Sequence, residues 1–430
     1  MKNKTNLRFS QTMIVKNEEK DIKTALSWGK ELMSEQVVVD TGSTDRTVEI
    51  AESMGAKVIH FDWIDDFAAA KNYALDNCHC DWIFILDADE YFSKEDADKL
   101  PSIIDAADKA GFCAVQTGLI SVDGKGGIID KSSHIRIIKN TKELRYKRRI
   151  HEVIVFKPEQ KVYDATDEVT IIHTGYIEEV IKDKGKKNRN LSMLLKELET
   201  NPEDPEILGY LADEYATDNR QKALPIYRKA ISYLPKKIDI RDWRTATTFT
   251  KFIVLLSLEN LSSEIIEVCD MAEKKMPHVA DFPYYAGLYF YNRKEYDSAL
   301  PYYERALQKY DKKNSSEFLS TKILLAYSQY GHILLETNSL QGAVAIESNV
   351  LKADKKEFLA LTVLLKAFNN SDVSAKKVLD HLSKTYDLSQ SIDKILIYKA
   401  STESGFSGLK DLMFDMMDEK EKAVIKKIVV

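Results

Sequence analysis

Two carboxylates stand two residues apart in Asp87-Ala88-Asp89, directly after the apolar run Trp82-Ile-Phe-Ile-Leu86. Carboxylate oxygens at that spacing, where a strand breaks into a loop, suit a hard divalent cation such as Mg2+ or Mn2+. Such a cation can bridge two phosphates and offset the charge that builds on a departing diphosphate. Asp-x-Asp alone also describes many solvated turns. Its place against an apolar strand argues for work or partners, because ionised groups beside a buried strand are costly without them.

Other groups able to do chemistry lie up and down the chain. Asp40 closes Gln36-Val-Val-Val-Asp40 and leads into Thr41-Gly-Ser-Thr-Asp45. Lys16-Asn17-Glu18-Glu19 follows another apolar run. His151-Glu152 comes after the basic stretch Arg145 to Arg149. Either His151 or Glu152 can take a proton from an attacking thiol or hydroxyl, and a salt-bridged turn is the alternative. His173 ends Thr170-Ile-Ile-His173, as a ligand or as a core histidine bonded to a carbonyl. Arg136 and Arg145 are candidates to hold phosphate, or ordinary surface arginines.

The elements that must position these groups follow from apolar periodicity. Strands are expected at 8–16, 36–40, 57–61 and 82–86, with helices at 22–28, 45–54 and 67–77 between them. Strands alternating with short helices imply βαβ units and a mostly parallel sheet. Ligands of such sheets bind beyond the carboxyl ends of the strands. The polar clusters at 16–19, 40–45 and 87–89 all fall at such ends, so one site built from all three is expected. From 111 to 176 the pattern is strand-rich, with a turn at Gly124, Gly126 and Gly127.

Past about 180 the chain turns helical and repeats itself. Leu211 and Ala223 are twelve apart, with Tyr227, Ala230 and Pro235 following. Gly287 and Ala299 repeat the interval, with Tyr303 and Ala306 behind, and Gly331 and Ala343 repeat it again. A weaker copy carries Ala272 and Pro277. Small residues at fixed positions let paired helices approach, and the aromatic residue four after the alanine fills the groove between hairpins. This resembles tetratricopeptide repeats, which stack into a superhelix, although the first-helix tryptophan of that consensus is absent. A plain helical bundle is the alternative.

Bulk properties narrow the class. A chain of 430 residues is too long for one core, so two or three domains are expected. A net charge of −6 and the lack of a long basic block give no nucleic-acid footprint. The cluster Lys182, Lys184, Lys186, Lys187 and Arg189 reads as a solvated linker face beside the boundary. Cys78, Cys80, Cys113 and Cys269 do not have zinc-site spacing and read as reduced structural thiols. No secretory signal and no apolar run of spanning length are seen, which leads to the expectation of a cytoplasmic bacterial protein.

Four segments, in order, resemble family-2 glycosyltransferases of the GT-A fold. They are Met13-Ile-Val-Lys-Asn-Glu18, Val38-Val-Asp-Thr-Gly-Ser-Thr-Asp-Arg-Thr47, Phe67-Ala-Ala-Ala-Lys-Asn72 and Ile85-Leu-Asp-Ala-Asp-Glu90. The resemblance covers roughly residues 8–176. It implies an α/β nucleotide-sugar-binding domain, with Val15, Asn17, Glu18, Asp40, Lys71, Asn72, Asp87 and Ala88 on the nucleotide sugar. It makes Asp89 the leading metal ligand, joined by Asp87 and, as histidines often serve in this fold, by His173. Ser43 and Asp45 would brace their turn. The layout of such a domain before tetratricopeptide-like helices is similar to the bacterial peptide S- and O-glycosyltransferases, the group that includes the enzyme modifying the bacteriocin sublancin. Arg149-Ile-His-Glu152 and Ile172-His-Thr-Gly-Tyr176 match segments of that group.

The resulting expectation has three parts: a GT-A domain over 1–180, tetratricopeptide-like repeats over 181–370, and a C-terminal helical segment over 371–430. The implied reaction moves a hexose or N-acetylhexosamine from a UDP-sugar, with Mg2+ or Mn2+ and inversion, to a Cys or Ser/Thr side chain of a peptide or protein. His151 and Glu152 are the candidate bases, and the helices hold the acceptor or pair two copies of the chain. The rivals are a glycan or lipopolysaccharide-core acceptor, and a helical adaptor with an inactive transferase domain.

Overall fold

The computed structural model describes residues 6–175, 184–239, 242–312 and 315–428. Tyr176 and Lys182, named above, lie outside the described residues. The chain forms two compact units, Met1–Pro202 and Glu203–Val430.

The first unit begins as the periodicity predicts. Strands β1 (Phe9–Val15), β2 (Glu35–Asp40), β3 (Lys57–His60) and β4 (Trp82–Ile85) alternate with helices α1 (Ile22–Ser27), α2 (Thr47–Ser53) and α3 (Phe67–Asp76). They lie parallel in the order β3-β2-β1-β4, with Val15 beside Asp40 and Asp40 beside His60. All four residues of β4 are buried. Trp82 and Phe84 pack with Phe9 and Phe92 in one core cluster, while Ile83 and Ile85 pack with Val37 and Leu75 in another. A strand covered on both faces is apolar throughout, which is why Trp82 to Leu86 reads as one run.

The second half of this unit departs from a mostly parallel sheet. It holds β5 (Glu90–Phe92), α4 (Lys94–Lys109), β6 (Ala114–Val122), β7 (Ile128–Lys139), β8 (Tyr146–Lys147), β9 (Val153–Ile154), β10 (Val162–His173) and α5 (Lys184–Thr200). The full sheet runs β3-β2-β1-β4-β7-β6-β10-β5. Strand β7 is antiparallel to both β4 and β6, and β10 is parallel to β6 but antiparallel to β5. The turn after β6 explains the change. Asp123 Oδ1 accepts from the backbone of Lys125 and Gly127, and Gly126 adopts φ of +80°. So short a connection can only return the chain antiparallel. Helix α4, capped by Ser93 Oγ on Asp96 N at 3.1 Å, covers one face with Leu100, Ile103, Ile104 and Ala107. The ladder between β6 and β7 slips twice, once next to the turn, where Ser121 faces Asp130 and Val122 faces Ile128, and once further in. Val115 faces Ile137 and Gln116 faces Ile135, so Arg136 is an extra residue, a β-bulge.

Helix α5 belongs to this first unit. Glu197 accepts from Arg149 N at 3.2 Å, Lys196 pairs with Asp65 at 2.5 Å, and Arg189 lies over the Phe67 ring. The composition changes near 180, yet those contacts carry the unit on to Pro202.

The second unit is all helical. Its helices are α6 (Pro205–Ala216), α7 (Arg220–Ser232), α8 (Trp243–Leu258), α9 (Ser262–Lys275), α10 (Asp281–Asn292), α11 (Tyr296–Lys309), α12 (Glu317–Thr321), α13 (Ile323–Glu336), α14 (Leu340–Ala353), α15 (Phe358–Asn370), α16 (Ala375–Leu382), α17 (Ser391–Glu403), α18 (Ser407–Asp415) and α19 (Glu419–Ile428). Pairs α6 with α7, α8 with α9, α10 with α11, and α13 with α14 pack as sequential hairpins. Ala223, Ala299 and Ala343, the twelve-residue partners, are fully buried. A methyl on Gly287 would come within 2.9 Å of the Tyr303 ring, so the glycine seats that aromatic. In the next copy the position four after Ala343 is Glu347, against Gly331. No break falls at 370: Val350 and Leu361 share a core with Val378, Ile397 and Leu409.

Candidate active site

Three strand ends bring the polar clusters together. At the ends of β1 and β2, Asn17 takes φ of +59° and its side chain braces the neighbouring loop. Asn17 Oδ1 accepts from Thr44 N at 2.8 Å, and Asn17 N donates to Ser43 Oγ at 2.9 Å. Glu18 N donates to Thr47 Oγ1 at 2.7 Å, and Glu19 N to Asp45 Oδ2 at 3.1 Å. Ser43 and Asp45 therefore brace the turn. Asp40 is buried and accepts from Ser43 N at 3.0 Å and Gly42 N at 3.2 Å, with His60 Nδ1 also at 3.2 Å. Burial pushes its carboxyl up, but the bonds from Ser43, Gly42 and His60 outweigh that and hold it below the usual range.

The strand β4 delivers the central carboxylates. Leu86 is fully buried, and the next residue, Asp87, keeps 40% of its side chain exposed. Its carboxylate lies between two cations, Arg136 Nη2 at 2.9 Å and Lys71 Nζ at 3.7 Å. Lys71 Nζ also reaches Glu152 Oε1 at 2.7 Å and lies 5.4 Å from the centre of the Tyr146 ring. Arg136 bonds Glu90 as well, and Glu90 Oε2 accepts from Asp87 N at 3.1 Å. A chain of alternating charge thus runs Glu90, Arg136, Asp87, Lys71, Glu152.

Burial works against each charge in the middle of this chain, and the neighbours decide the outcome. For Lys71, the pull of Asp87 and Glu152 outweighs burial and keeps the ammonium protonated. For Arg136, Asp87 and Glu90 do the same. For Asp87, Lys71 and Arg136 win and hold the carboxyl far below the carboxylate range. Glu90 is pushed up, first by burial and then by the nearby Asp87 charge.

The second carboxylate, Asp89, faces elsewhere. His173 Nε2 stands 3.1 Å from Asp89 Oδ2, and its Nδ1 is 3.1 Å from Ser121 Oγ. The bond to Asp89 raises the imidazole pKa. Thr174 N donates to Asp89 O at 3.0 Å. Next to them is Gly175, where a methyl would overlap Asp89 Oδ2 and come within 2.9 Å of His173 Nε2. A bare glycine therefore leaves a cradle beside one carboxylate oxygen and one imidazole nitrogen. An imidazole held through its far nitrogen is the arrangement that orients a metal ligand, and this donor set suits Mg2+ or Mn2+. Asp87 does not converge on that cradle. Among the described residues, no group of three or more His, Cys, Asp or Glu side chains is assembled for a cation.

Other expected residues sit as follows. The Asn72 amide is taken up by the backbone of Tyr146, donating to its oxygen at 2.9 Å and accepting from its nitrogen at 2.8 Å. Val15 and Ala88 are buried apolar residues at the ends of β1 and β4, in a common cluster with Met13 and Val38. His151 has φ of +52°. Arg145 turns to Asp76 at 2.7 Å and to Thr141 O at 2.6 Å, outside the charge chain. Tyr146 and Ser121 escape the sequence reading, while Glu90 and Gly175 stand in it only inside the quoted motifs, without a role. Arg136, expected to hold phosphate or to be an ordinary surface arginine, is largely buried and paired with Asp87 and Glu90.

Comparison with known proteins agrees with this geometry. Residues 10–179 match the family described as glycosyl transferase family 2. Those residues are a family-2 glycosyltransferase domain. The glycosyltransferase domain and the helices after it also match curated proteins. A TPR repeat-containing protein of Synechococcus elongatus is 31% identical over 50% of this chain and 54% of its own length. The SPbeta prophage-derived glycosyltransferase SunS of Bacillus subtilis is 24% identical over 64% of each chain. The chain thus spans about half to two thirds of these relatives. Among solved structures, S. aureus TarS 1-349 is 15% identical over 67% of this chain and 92% of that one, with a TM-score of 0.34. A transferase domain of this family implies a nucleotide-sugar donor and an acceptor. Among the described residues, no helix is long and apolar enough to cross a membrane.

Proposed function

We propose that this protein is a cytoplasmic bacterial peptide or protein glycosyltransferase. It moves a hexose or N-acetylhexosamine from a UDP-sugar to a Cys or Ser/Thr side chain, with a divalent cation and inversion at the anomeric carbon. A peptide of the bacteriocin type is the favoured acceptor, on the likeness to SunS. The observation that carries the reaction is the Asp89–His173 pair beside Gly175, at the same strand ends as Asp40 and Asp87.

Bound Mg2+ or Mn2+ would be held by Asp89 and His173 and would neutralise the leaving diphosphate. The chain's own residues supply the rest. Asp40, with the loop braced by Asn17, Glu18 and Thr47, forms the nucleotide side. Lys71 and Arg136 add positive charge beside Asp87, close to where the diphosphate charge develops. The acceptor sulfur or oxygen attacks the anomeric carbon from the face opposite the phosphate. As the new bond forms, the bond to the diphosphate breaks and its electron pair leaves with UDP. The acceptor proton passes to Glu152, which shares Lys71 with Asp87; His151 is the neighbouring alternative. A thiol acceptor, with a pKa near 8.5, requires less help than a hydroxyl.

The test is UDP release from a panel of UDP-sugars with Mn2+ or Mg2+, beside an Asp89→Ala control. Metal-dependent release from one donor, lost in the control, is the expected result. No binding of UDP and no release from any donor would remove this reading and favour an adaptor role for the helices.

A further inference from the structure

The chain Glu90, Arg136, Asp87, Lys71, Glu152 contains more than the transfer reaction uses. Both oxygens of Asp87 face cations: Oδ2 meets Arg136 at 2.9 Å, and Oδ1 lies 3.7 Å from Lys71. Its backbone is fixed as well, because Glu90 Oε2 accepts from Asp87 N at 3.1 Å. Glu90 is 3% exposed at its side chain and Arg136 13%. Two charges removed from water this far are costly unless geometry and bonding are good.

Two features show that the arrangement is built at a cost to regular structure. Arg136 reaches the site only because it is the extra residue of a bulge in β7. In a regular ladder, side chains alternate strictly between the faces, and bulges near active sites re-aim one side chain. In addition, Arg136 Nε is buried with no hydrogen-bond partner. An orphan buried donor is destabilising by about 1–3 kcal/mol, a cost that an apolar residue at 136 would avoid.

We infer that Glu90 and Arg136 are a positioning pair for sugar transfer. They hold the Asp87 carboxylate turned from Asp89, so that Asp89 and His173 alone face the donor's cation while Asp87 anchors Lys71 and, through it, Glu152. This rests on the transferase reading. It assigns the two aspartates of Asp87-Ala88-Asp89 different work: Asp89 ligates, and Asp87 is the hub of an ion-pair network that spans the donor side and the proton-accepting side. A cation approaching Asp87 would first have to displace the Arg136 guanidinium and the Lys71 ammonium. At Asp89 it meets one carboxylate and one imidazole.

The experiment measures Mn2+ binding in the presence of UDP by electron paramagnetic resonance, with kcat and KM for UDP release from the preferred donor. It compares the wild type with Asp89→Asn, Asp87→Asn, Arg136→Gln and Arg136→Lys. Loss of a ligand should weaken Mn2+ binding by at least about tenfold in Asp89→Asn. In Asp87→Asn and Arg136→Gln, Mn2+ affinity should stay within about threefold while kcat falls by about 10- to 100-fold. Arg136→Lys should recover part of kcat, because a point charge keeps the attraction and loses the fork. If Arg136→Gln does not fold, Asp87→Asn and Arg136→Lys carry the same comparison. The proposal is overturned if Asp87→Asn weakens Mn2+ as much as Asp89→Asn, or if kcat is unchanged in both Asp87→Asn and Arg136→Lys. If the wild type binds Mn2+ and UDP and the variants give either result, only the positioning pair is lost. A wild type that binds neither loses the transferase reading and the pair together.

Discussion

The two units treat a buried carboxylate in opposite ways. In the glycosyltransferase domain, Glu90 is buried against Arg136 and the Asp87 backbone, and each charge in its network has a counterpart. In the helical unit, Glu347 is fully buried with no cation beside it among the described residues, and only the Ser328 hydroxyl comes near enough to favour its charged form. Both glutamates are pushed upward by burial. The sheet domain answers with partners and so keeps charge near its site. The helical unit answers by protonation, with the Glu347 carboxyl pushed up to about 9. A buried charge with partners marks a place where a charge is wanted. A buried acid without a cation marks a position where the aromatic residue of the repeat has been replaced.

Four measurements test this contrast. The largest effect is expected from Glu90→Ala, which leaves Arg136 buried with one partner fewer. Removing one member of such a pair is destabilising by about 3–5 kcal/mol. A denaturant midpoint within error of wild type would mean that the pair is dispensable. Next comes Asp89→Ala, where UDP release should fall by about 10²–10³-fold while the melting temperature barely changes. An equal fall in melting temperature would turn Asp89 into a structural residue.

Third is Glu347→Gln. The folded pKa of Glu347 lies above its ordinary 4.5, so the folded state binds the extra proton. Stability is then full below about pH 4.5 and declines as pH rises toward about 9, by at most about 1.4 kcal/mol per pH unit. At pH 7 that amounts to about 3 kcal/mol, and Glu347→Gln should flatten the decline. Equal slopes in wild type and variant between pH 5 and 9 would show that the carboxyl finds relief in the folded protein. The smallest effect belongs to Arg145→Ala. Its bonds go to Asp76 and Thr141, partly exposed, so stability should change by under about 1 kcal/mol and donor turnover should be unchanged.

Much of the domain was legible because its information is local. The strand Trp82 to Leu86 carries its two-sided burial in its composition, and Asp87 and Asp89 follow within three residues. Asp40, Ser43 and Asp45 share one loop, and their bracing role follows from residue types that accept backbone bonds. What was hidden depends on register and distance. Asp89 and His173 are 84 residues apart, and only the pairing of β10 with β5 puts Glu90 beside His173. Asn72 reads as a polar helix residue facing a ligand, whereas its two bonds close on Tyr146, 74 residues away. The strand-rich second half and its turn were legible, but the antiparallel directions of β7 and β5 were not, and residues 128–134 of β7 are all exposed and give no alternation to read. In the helices, the small-residue interval was readable, but a glutamate in the aromatic slot breaks the pattern at the point where packing is unusual.

The bulge at Arg136 has one more consequence. An extra residue in a strand is a shift of phase: what lies before it and what lies after it no longer share one count of inside and outside. Ile137 and Ile138 keep their places in the two cores whatever happens upstream. Upstream of the bulge, residues 128–134 of β7 are exposed and belong to neither core. A change of composition in that exposed stretch should therefore leave both cores in place.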